Sequence, residues 1–252
     1  MLLKTQGLVL KQRNIGENDR IITILSKELG IIEAAANGVK RIKSKLAGAT
    51  QTLCYSEFCL YKGKQLYSIN SAETIHSFYD LRLDVEKLSL AAYFCDLTGF
   101  LSPTGEGSWA SLRLLLNTLS LLEKNKRSPV LLKSIYELRI LSMAGFMPDL
   151  TCCARCGTYE SESMYFLPLE AKLLCGDCAP ILCTNQTIRY ETPPAVLAAM
   201  RRILYSDDDK VFAFTLGEHS LKQLSLITEQ YVLLQTDAHF KSLDLYKQLS
   251  AV

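Results

Sequence analysis

The first 79 residues contain short apolar runs that are separated by turn-forming residues. Runs of this length, bounded by Gly, Asn and Asp, are typical of strands. They predict five strands, at residues 5–12, 21–25, 31–36, 53–61 and 65–71. The tripeptide Lys62-Gly63-Lys64 predicts a hairpin turn between the last two strands. A longer connection follows the third strand, which is the order of an OB-type Greek-key barrel, although an SH3-like barrel would give a similar pattern.

From residue 81 onwards, apolar residues recur at steps of three and four, which is the spacing of amphipathic helices. Such stripes run along residues 81–95, 112–122 and 131–141 and, after a cysteine-rich segment, along residues 194–205, 221–234 and 240–249. Helices this short need a partner that buries the stripe. We therefore predict a multi-domain α+β fold, with an OB-fold β-barrel at residues 1–79 followed by an all-α domain at residues 80–252.

Two C-x-x-C pairs interrupt the helical region. They are Cys153 with Cys156 and Cys175 with Cys178, and eighteen residues separate the pairs. Zinc prefers four thiolate or imidazole ligands at the corners of a tetrahedron, and two such pairs at this distance are the pattern of a zinc ribbon. A single C-x-x-C pair could also be a redox dithiol, but a redox dithiol would not need a second C-x-x-C pair. We predict one structural Zn²⁺ per chain in a zinc ribbon-like insertion at about residues 149–183.

The motifs of the common nucleophilic, phosphate-binding and zinc-hydrolase sites are absent from the sequence. It contains no G-x-S-x-G, no G-x-x-x-x-G-K-[ST], no G-x-G-x-x-G and no H-E-x-x-H. None of the three histidines belongs to the H-x-E element of a zinc deaminase. Four cysteines would also leave zinc no open position for water. We therefore expect a protein without catalytic residues.

Positive charge is concentrated near the start of the chain. The net charge is +2, but residues 1–64 hold eleven Lys or Arg and only five Asp or Glu. Four of these cations lie close together after the third predicted strand, at Lys40, Arg41, Lys43 and Lys45. A basic loop on an OB-type barrel predicts contact with a nucleic-acid backbone, although a solvated loop would have the same composition.

Further residues of the first domain could extend such a surface. The cations that we assign to it are Lys11, Arg13 and Arg20, with Lys62 and Lys64. The aromatic residues whose rings could stack on bases are Tyr55, Phe58, Tyr61 and Tyr67. Some of these rings must instead fill the core of the barrel.

The first residues lack a cationic segment that leads into an apolar run, and no stretch approaches the roughly eighteen apolar residues of a membrane span. We therefore expect no signal peptide, no membrane association and a cytoplasmic protein. In the reducing cytoplasm, the nine cysteines are not expected to form disulfides.

Several short segments resemble the RecO family of bacterial DNA-repair proteins, and they occur in the same order along nearly the whole chain. They are Lys4-Thr5-Gln6-Gly7-Leu8-Val9-Leu10, Gly16-Glu17-Asn18-Asp19-Arg20-Ile21, Gly38-Val39-Lys40-Arg41-Ile42-Lys43-Ser44, Gly145-Phe146-Met147-Pro148-Asp149-Leu150 and Lys241-Ser242-Leu243. The order of strands, helices and zinc site agrees as well. Glu170-Ala171 departs from the family, which often has a glycine pair before the second C-x-x-C.

The resemblance implies a recombination mediator in DNA repair that binds single- and double-stranded DNA and anneals complementary strands. Such proteins act with RecR and RecF to load RecA onto single-stranded DNA coated by the single-strand-binding protein, SSB, whose acidic C-terminal tail they contact. On this chain, the resemblance assigns zinc to Cys153, Cys156, Cys175 and Cys178. It assigns DNA contacts to Lys40, Arg41 and Lys43.

For the acidic tail of SSB, we expect an apolar groove between helices with cations at its rim. The segments at residues 129–145 and 192–205 predict such a groove, and its cations are Lys133, Arg139, Arg201 and Arg202. The alternative to a recombination mediator is a non-enzymatic zinc-ribbon and OB-fold adaptor that binds RNA or protein.

Overall fold

The computed structural model describes residues 2–64 and 66–250. It divides into two compact units, one formed by Met1–Lys126 with Phe240–Val252 and the other by Arg127–His239. The predicted domain boundary after residue 79 follows the change from strands to helices. It stays a prediction, since the compact units group the first two helices and the last one with the barrel.

Five strands form a closed barrel in the first unit, in the order β1-β2-β3-β5-β4. The strands are β1 Leu2–Ile15, β2 Asp19–Ser26, β3 Gly30–Ala36, β4 Cys54–Lys62 and β5 Tyr67–Ser77. Neighbours are antiparallel except for β3 and β5, which pair in parallel and close the barrel. The predicted OB-type barrel is thus confirmed. Gln65, at which the fifth strand was predicted to begin, lies outside the described residues.

The interior of the barrel is filled by alternate residues of its strands, which point inward. In β4, Ser56, Phe58 and Leu60 are buried and face inward, whereas the residues between them are exposed or half-buried. The core of the barrel contains Val9, Ile22, Ile24, Ile32, Ala34, Ala36, Val39, Phe58, Leu60 and Ile69. Burial of these apolar side chains stabilises the closed form, because each removes apolar surface from water.

Seven helices complete the part of the chain that the structure describes. They are α1 Val85–Leu101, α2 Trp109–Glu123, α3 Pro129–Met143, α4 Ala179–Leu182, α5 Pro194–Tyr205, α6 Glu218–Thr236 and α7 Lys241–Ser250. The predicted start of the first helix at residue 81 is wrong. Leu81 lies in a separate 3-10 helix, because the side chain of Asp84 accepts a hydrogen bond from the Lys87 amide and begins α1 there.

Helix α7 belongs to the first unit and packs on α1. The ring of Phe240, just before α7, meets Tyr93 and Phe100 edge to face, at centroid distances of 5.7 and 5.9 Å. Ser242 donates a hydrogen bond of 2.6 Å to Asp96. The last segment of the chain therefore stabilises the first helix after the barrel.

The second unit combines helices α3, α5 and α6 with a small sheet. The strands are β6 Asp149–Cys153, β7 Met164–Leu167, β8 Lys172–Cys175 and β9 Tyr190–Glu191, in the order β6-β8-β7-β9. The ring of Phe166 on β7 meets Tyr231 of α6 at 5.2 Å, and the Tyr231 hydroxyl donates to the Phe146 carbonyl at 2.9 Å. Burial raises the pKa of Tyr231. The ribbon is thereby anchored on the helices of its own unit.

Ala171 has a left-handed backbone, with φ of +55°, in the turn before β8. Its carbonyl accepts a hydrogen bond of 2.8 Å from the Asp149 amide, so the turn also orders the start of β6. A residue with a Cβ pays roughly 1–2 kcal/mol for this conformation. The alanine that departs from the family pattern therefore sits where glycine would be unstrained.

Ala171→Gly is expected to raise the free energy of unfolding by about 0.5–1 kcal/mol, because relief of the left-handed strain exceeds the extra freedom of glycine in the unfolded chain. Urea denaturation measures the change. The matched control is Ala198→Gly, an exposed position within α5, which should lose about 1 kcal/mol. Equal losses in both variants would contradict the strained turn.

Candidate metal centre and nucleic-acid interface

The four predicted zinc ligands converge in the second unit. The Sγ atoms of Cys153, Cys156, Cys175 and Cys178 all lie within 4.8 Å of one another, and Cys156 and Cys175 are 3.6 Å apart. A tetrahedron with zinc–sulfur bonds of 2.3 Å has sulfur–sulfur edges of about 3.8 Å. This cluster could hold a metal ion, and its four-thiol donor set is compatible with zinc.

Neighbouring strands position the two pairs. Cys153 ends β6 and Cys175 ends β8, and these strands run in parallel beside each other. The first turn is closed by the Gly157 amide, which donates to the Cys153 carbonyl at 2.9 Å with a left-handed φ of +75°. The second is closed by the Cys178 amide, which donates to the Cys175 carbonyl at 3.1 Å. Each C-x-x-C pair therefore forms a knuckle with both sulfurs on one side.

Gly176 lies inside the second knuckle, between Cys175 and Cys178. Its φ is not left-handed, so it does not supply special backbone freedom. Instead, a Cβ there would lie 3.3 Å from the Cβ of Ser163, whose carbonyl accepts a hydrogen bond of 2.8 Å from the Gly176 amide. A Cβ at this position would therefore crowd Ser163 by a few tenths of an ångström.

The four thiols do not ionise alike. Burial of Cys153 opposes its ionisation, but amides of Cys156, Cys175 and Arg155 point at the sulfur and lower its pKa to about 6. Burial raises the pKa of Cys178 to about 12, and the neighbouring sulfurs add to this. Four thiolates this close repel one another, so a fully ionised cluster needs a cation between them.

Arg201 of α5 holds the first knuckle in place. Its guanidinium donates to the carbonyls of Leu150 at 2.7 Å, Thr151 at 3.0 Å and Tyr159 at 3.0 Å. It also lies 4.1 Å from the centre of the Tyr159 ring. The carbonyls flank the knuckle on both sides, so one side chain fixes its entry and exit. Spacing along the sequence gives no signal for this contact.

Lys133, predicted at the rim of a peptide groove, is not at a rim. Its side chain is 2% exposed, and its ammonium lies 3.0 Å from Glu137 and 2.9 Å from Glu229. Both carboxylates are buried as well. This part of the prediction is wrong, because the two carboxylates draw the cation into the contact between α3 and α6.

The other cations assigned to the groove are also engaged by their own unit. Arg139 donates to the carbonyls of Leu204 and Ser206, at 2.9 and 3.1 Å, and pairs with Asp208. Arg202 donates to the Ala213 carbonyl at 3.1 Å. The structure thus gives these arginines structural contacts, and their role toward a partner stays a prediction.

In the first unit, the basic loop between β3 and β4 is exposed. Lys40, Arg41, Lys43 and Lys45 all project into solvent, and none forms an ion pair with any carboxylate among residues 2–64 and 66–250. Consecutive turns shape the loop: the Arg41 amide donates to the Gly38 carbonyl and the Ser44 amide donates to the Arg41 carbonyl. Ile42, in the middle of these cations, is fully exposed.

The hairpin between β1 and β2 fixes this loop. The carboxylate of Asp19 accepts a hydrogen bond of 2.6 Å from the Gly38 amide, and the Asn18 carbonyl accepts one of 3.0 Å from the Lys40 amide. The start of the basic loop therefore lies against the end of β1 and the beginning of β2. The sequence does not indicate that Asp19 has this positioning role.

The cations predicted to extend the loop differ in how far they are neutralised. Lys11 pairs with Asp96 at 2.8 Å, and Arg13 lies 3.6 Å from Glu33. Arg20 instead donates to the neutral side chains of Asn14 at 3.2 Å and Gln12 at 3.0 Å. Its charge is therefore held in place but not compensated.

The four aromatic residues that could stack on bases differ in their exposure to solvent. Phe58 is a core residue without exposed surface. Tyr67 packs on the core, and the Tyr55 hydroxyl donates to the Gln6 side chain at 2.8 Å. Tyr61 is 55% exposed at the end of β4 and can offer a ring face to a base.

Among residues 2–64 and 66–250, no helix combines the length and the apolar character that crossing a bilayer would require.

A closed OB-type barrel with an exposed basic loop and a four-cysteine metal-type site define the class: an OB-fold protein with a zinc ribbon-like element. Two family descriptions match the chain, "Recombination protein O N terminal" at residues 1–78 and "Recombination protein O C terminal" at residues 82–244. The chain therefore belongs to the recombination protein O family, RecO.

Individual relatives agree with this assignment. A protein named DNA repair protein RecO from Acetivibrio thermocellus is 38% identical over 250 residues, covering 99% of this chain and 98% of that protein. One with the same name from Alkaliphilus metalliredigens is 33% identical and covers 99% and 100%. One from Symbiobacterium thermophilum is 30% identical and covers 96% and 95%.

Lys133→Met is expected to destabilise the protein by about 3–5 kcal/mol, because it leaves Glu137 and Glu229 buried without their cation. Thermal and urea denaturation measure the loss. The matched control is Lys222→Met, which removes an exposed pair with Glu218 and should change stability by less than about 1 kcal/mol. A mild effect at Lys133 would mean that the carboxylates are not held as buried anions.

Proposed function

We propose that this chain is a DNA-binding recombination mediator in DNA repair. The observation that carries the proposal is the basic loop, in which four exposed cations form no ion pair among the described residues. Exposed cations that are free of carboxylates can exchange their counterions for phosphates. Tyr61 and the fully exposed Ile42 offer apolar faces on which bases could pack. Such contacts are largely independent of the DNA sequence.

The finer activity follows from family membership. We infer that the protein anneals complementary strands and, with RecR and RecF, helps to load RecA onto single-stranded DNA coated by SSB. It would do so without a catalytic step, in the cytoplasm at the nucleoid. The relatives are named as DNA repair proteins, which favours DNA over the RNA- or protein-binding adaptor.

We also propose RecR and the acidic tail of SSB as partners, without assigning either of them a surface. The predicted groove loses Lys133, which is buried. A concavity of about 520 Å³ beside α5 is lined by Arg201, but Glu160 and Glu162 line it as well. Two carboxylates disfavour an acidic peptide at that place.

The metal of the four-cysteine cluster is proposed to be zinc, with a structural role. Four sulfurs fill a tetrahedral shell and leave no position for water or substrate. The bound ion would neutralise part of the thiolate charge and hold the two knuckles together.

Cys153→Ser or Cys178→Ser is expected to reduce the metal content from about one ion per chain to near zero and to make residues 149–183 sensitive to protease, because the metal supplies much of the folding free energy of such sites. Elemental analysis and limited proteolysis measure both effects. The matched control, Cys183→Ser, lies outside the cluster and should keep the metal. Metal-free wild-type protein with unchanged proteolysis would contradict the proposal.

Replacing Lys40, Arg41 and Lys43 together with Ala is expected to weaken binding to single- and double-stranded DNA of any sequence. Each lost phosphate contact should reduce the log–log salt slope by roughly 0.7 on single strands and 0.9 on duplexes. Fluorescence anisotropy at several salt concentrations measures the slope, and annealing of SSB-coated oligonucleotides measures function.

The control for charge alone is the triple variant Arg189→Ala, Lys210→Ala and Lys222→Ala, three exposed cations of the second unit. It should bind DNA as the wild type does. Equal binding by both triple variants would place the DNA surface elsewhere.

A further inference from the structure

A concavity of about 390 Å³ lies at the end of the barrel, within the first unit. Its lining includes Arg20 and Arg82 together with Gln12, Gln51 and Thr52. Two guanidinium groups thus share one open cavity, and no carboxylate belongs to its lining. Arg82 lies in the short 3-10 helix before α1, outside the basic segment at residues 1–64.

Both arginines are held in place by neutral groups. Arg82 donates to the side chain of Gln51 and to the Thr52 carbonyl at 2.6 Å, with a weaker contact of 3.8 Å to the sulfur of Cys54. Arg20 is held by amide oxygens of Gln12 and Asn14. Amide and carbonyl oxygens orient a guanidinium without cancelling its charge. Neither arginine forms an ion pair among the described residues.

The partners of Arg82 are presented by an unusual backbone. Leu53, which also lines the concavity, has a φ of +64°, a left-handed conformation that is rare for a bulky residue. Two backbone hydrogen bonds maintain it: the Leu53 amide donates to Val9 at 2.9 Å, and its carbonyl accepts from Phe78 at 3.2 Å. This turn directs the Thr52 carbonyl toward Arg82, so the barrel itself fixes the second cation.

We propose that this concavity is a subsite for one phosphodiester group of a DNA strand, bound by Arg20 and Arg82. Guanidinium groups bind phosphate through paired, charge-assisted hydrogen bonds, and a shared anion relieves the repulsion between the two cations. Two nitrogen atoms remain as donors for the phosphate. No described residue accepts a hydrogen bond from Nε of Arg82 or from Nη2 of Arg20. The inference rests on the proposed function, whose DNA surface it extends.

The basic loop and the concavity are both attached to the start of β2. Arg20 directly follows Asp19, which binds the Gly38 amide at the start of the loop. A strand that contacts Lys40 and Arg41 therefore needs only a short step to reach Arg20. The concavity gives the path of the DNA a fixed point, whereas the loop supplies flexible cations.

Gln51→Glu tests the subsite without removing either arginine. The new carboxylate has the shape of the amide, keeps the hydrogen bond to Arg82 and neutralises its charge. The expected result is a salt slope for a labelled single-stranded oligonucleotide that is lower by about 0.7, with unchanged or raised thermal stability. Arg20→Gln should lower the slope by a similar amount. The matched control, Gln186→Glu in an exposed loop of the second unit, should leave the slope unchanged.

The outcomes separate this inference from the proposed function. Wild-type slopes for Gln51→Glu and Arg20→Gln, beside a reduced slope for the Lys40, Arg41 and Lys43 triple variant, would overturn the subsite and leave the function intact. Reduced slopes in all three support both. If the triple variant binds normally while Gln51→Glu does not, the subsite stands and the loop does not. Should Gln51→Glu fail to fold, Arg20→Gln decides.

Discussion

Closure of the barrel depends on β1, because this strand pairs with two different neighbours along its length. Residues 2–8 pair with β4, and residues 7–15 pair with β2. The pairings overlap at Gly7 and Leu8, and a Cβ at Gly7 would lie 2.5 Å from a methyl carbon of Ile24 and 2.7 Å from the Leu25 carbonyl oxygen. Only glycine allows the two strands to approach this closely. Because β1 extends past β4, its far end forms the hairpin with β2 that holds the basic loop through Asp19.

The partners of each cation decide what that cation can do. Lys133 has two buried carboxylates, and its charge is fully used inside the second unit. Lys40 and its neighbours in the basic loop have none, so their charge is available to a polyanion. Arg20 and Arg201 form an intermediate group, since neutral oxygens orient their guanidinium groups without cancelling the charge. Counting Lys and Arg along a sequence cannot separate these three cases, whereas the contacts do so directly.

The structural features that could be predicted from the sequence are those that depend on the spacing of nearby residues. The strands of the barrel and the two C-x-x-C knuckles follow from periods and intervals of a few residues, and the structure confirms them. The exposed ring of Tyr61 could have been predicted too, because alternation along β4 places it on the face opposite Phe58. Burial of Lys133 could not, since Glu229 comes from a helix far along the chain. The surroundings of Arg82 could not be predicted for the same reason, since Gln51 and Arg20 become its neighbours only when the barrel closes.

The electrostatics of the ribbon argue that DNA does not follow the metal site. Four thiolates around one divalent ion, such as the zinc that we propose, would leave a formal charge of about −2, which would repel phosphate. Glu160, Glu162 and Asp177 are exposed on the same element and add negative charge. Arg201, which donates to three carbonyls of the first knuckle, and the exposed Arg155 offset only part of this charge. On the proposed function, a bound metal would therefore order the ribbon, and polyanions would bind at the basic end of the barrel, where no carboxylate lines the concavity of Arg20 and Arg82.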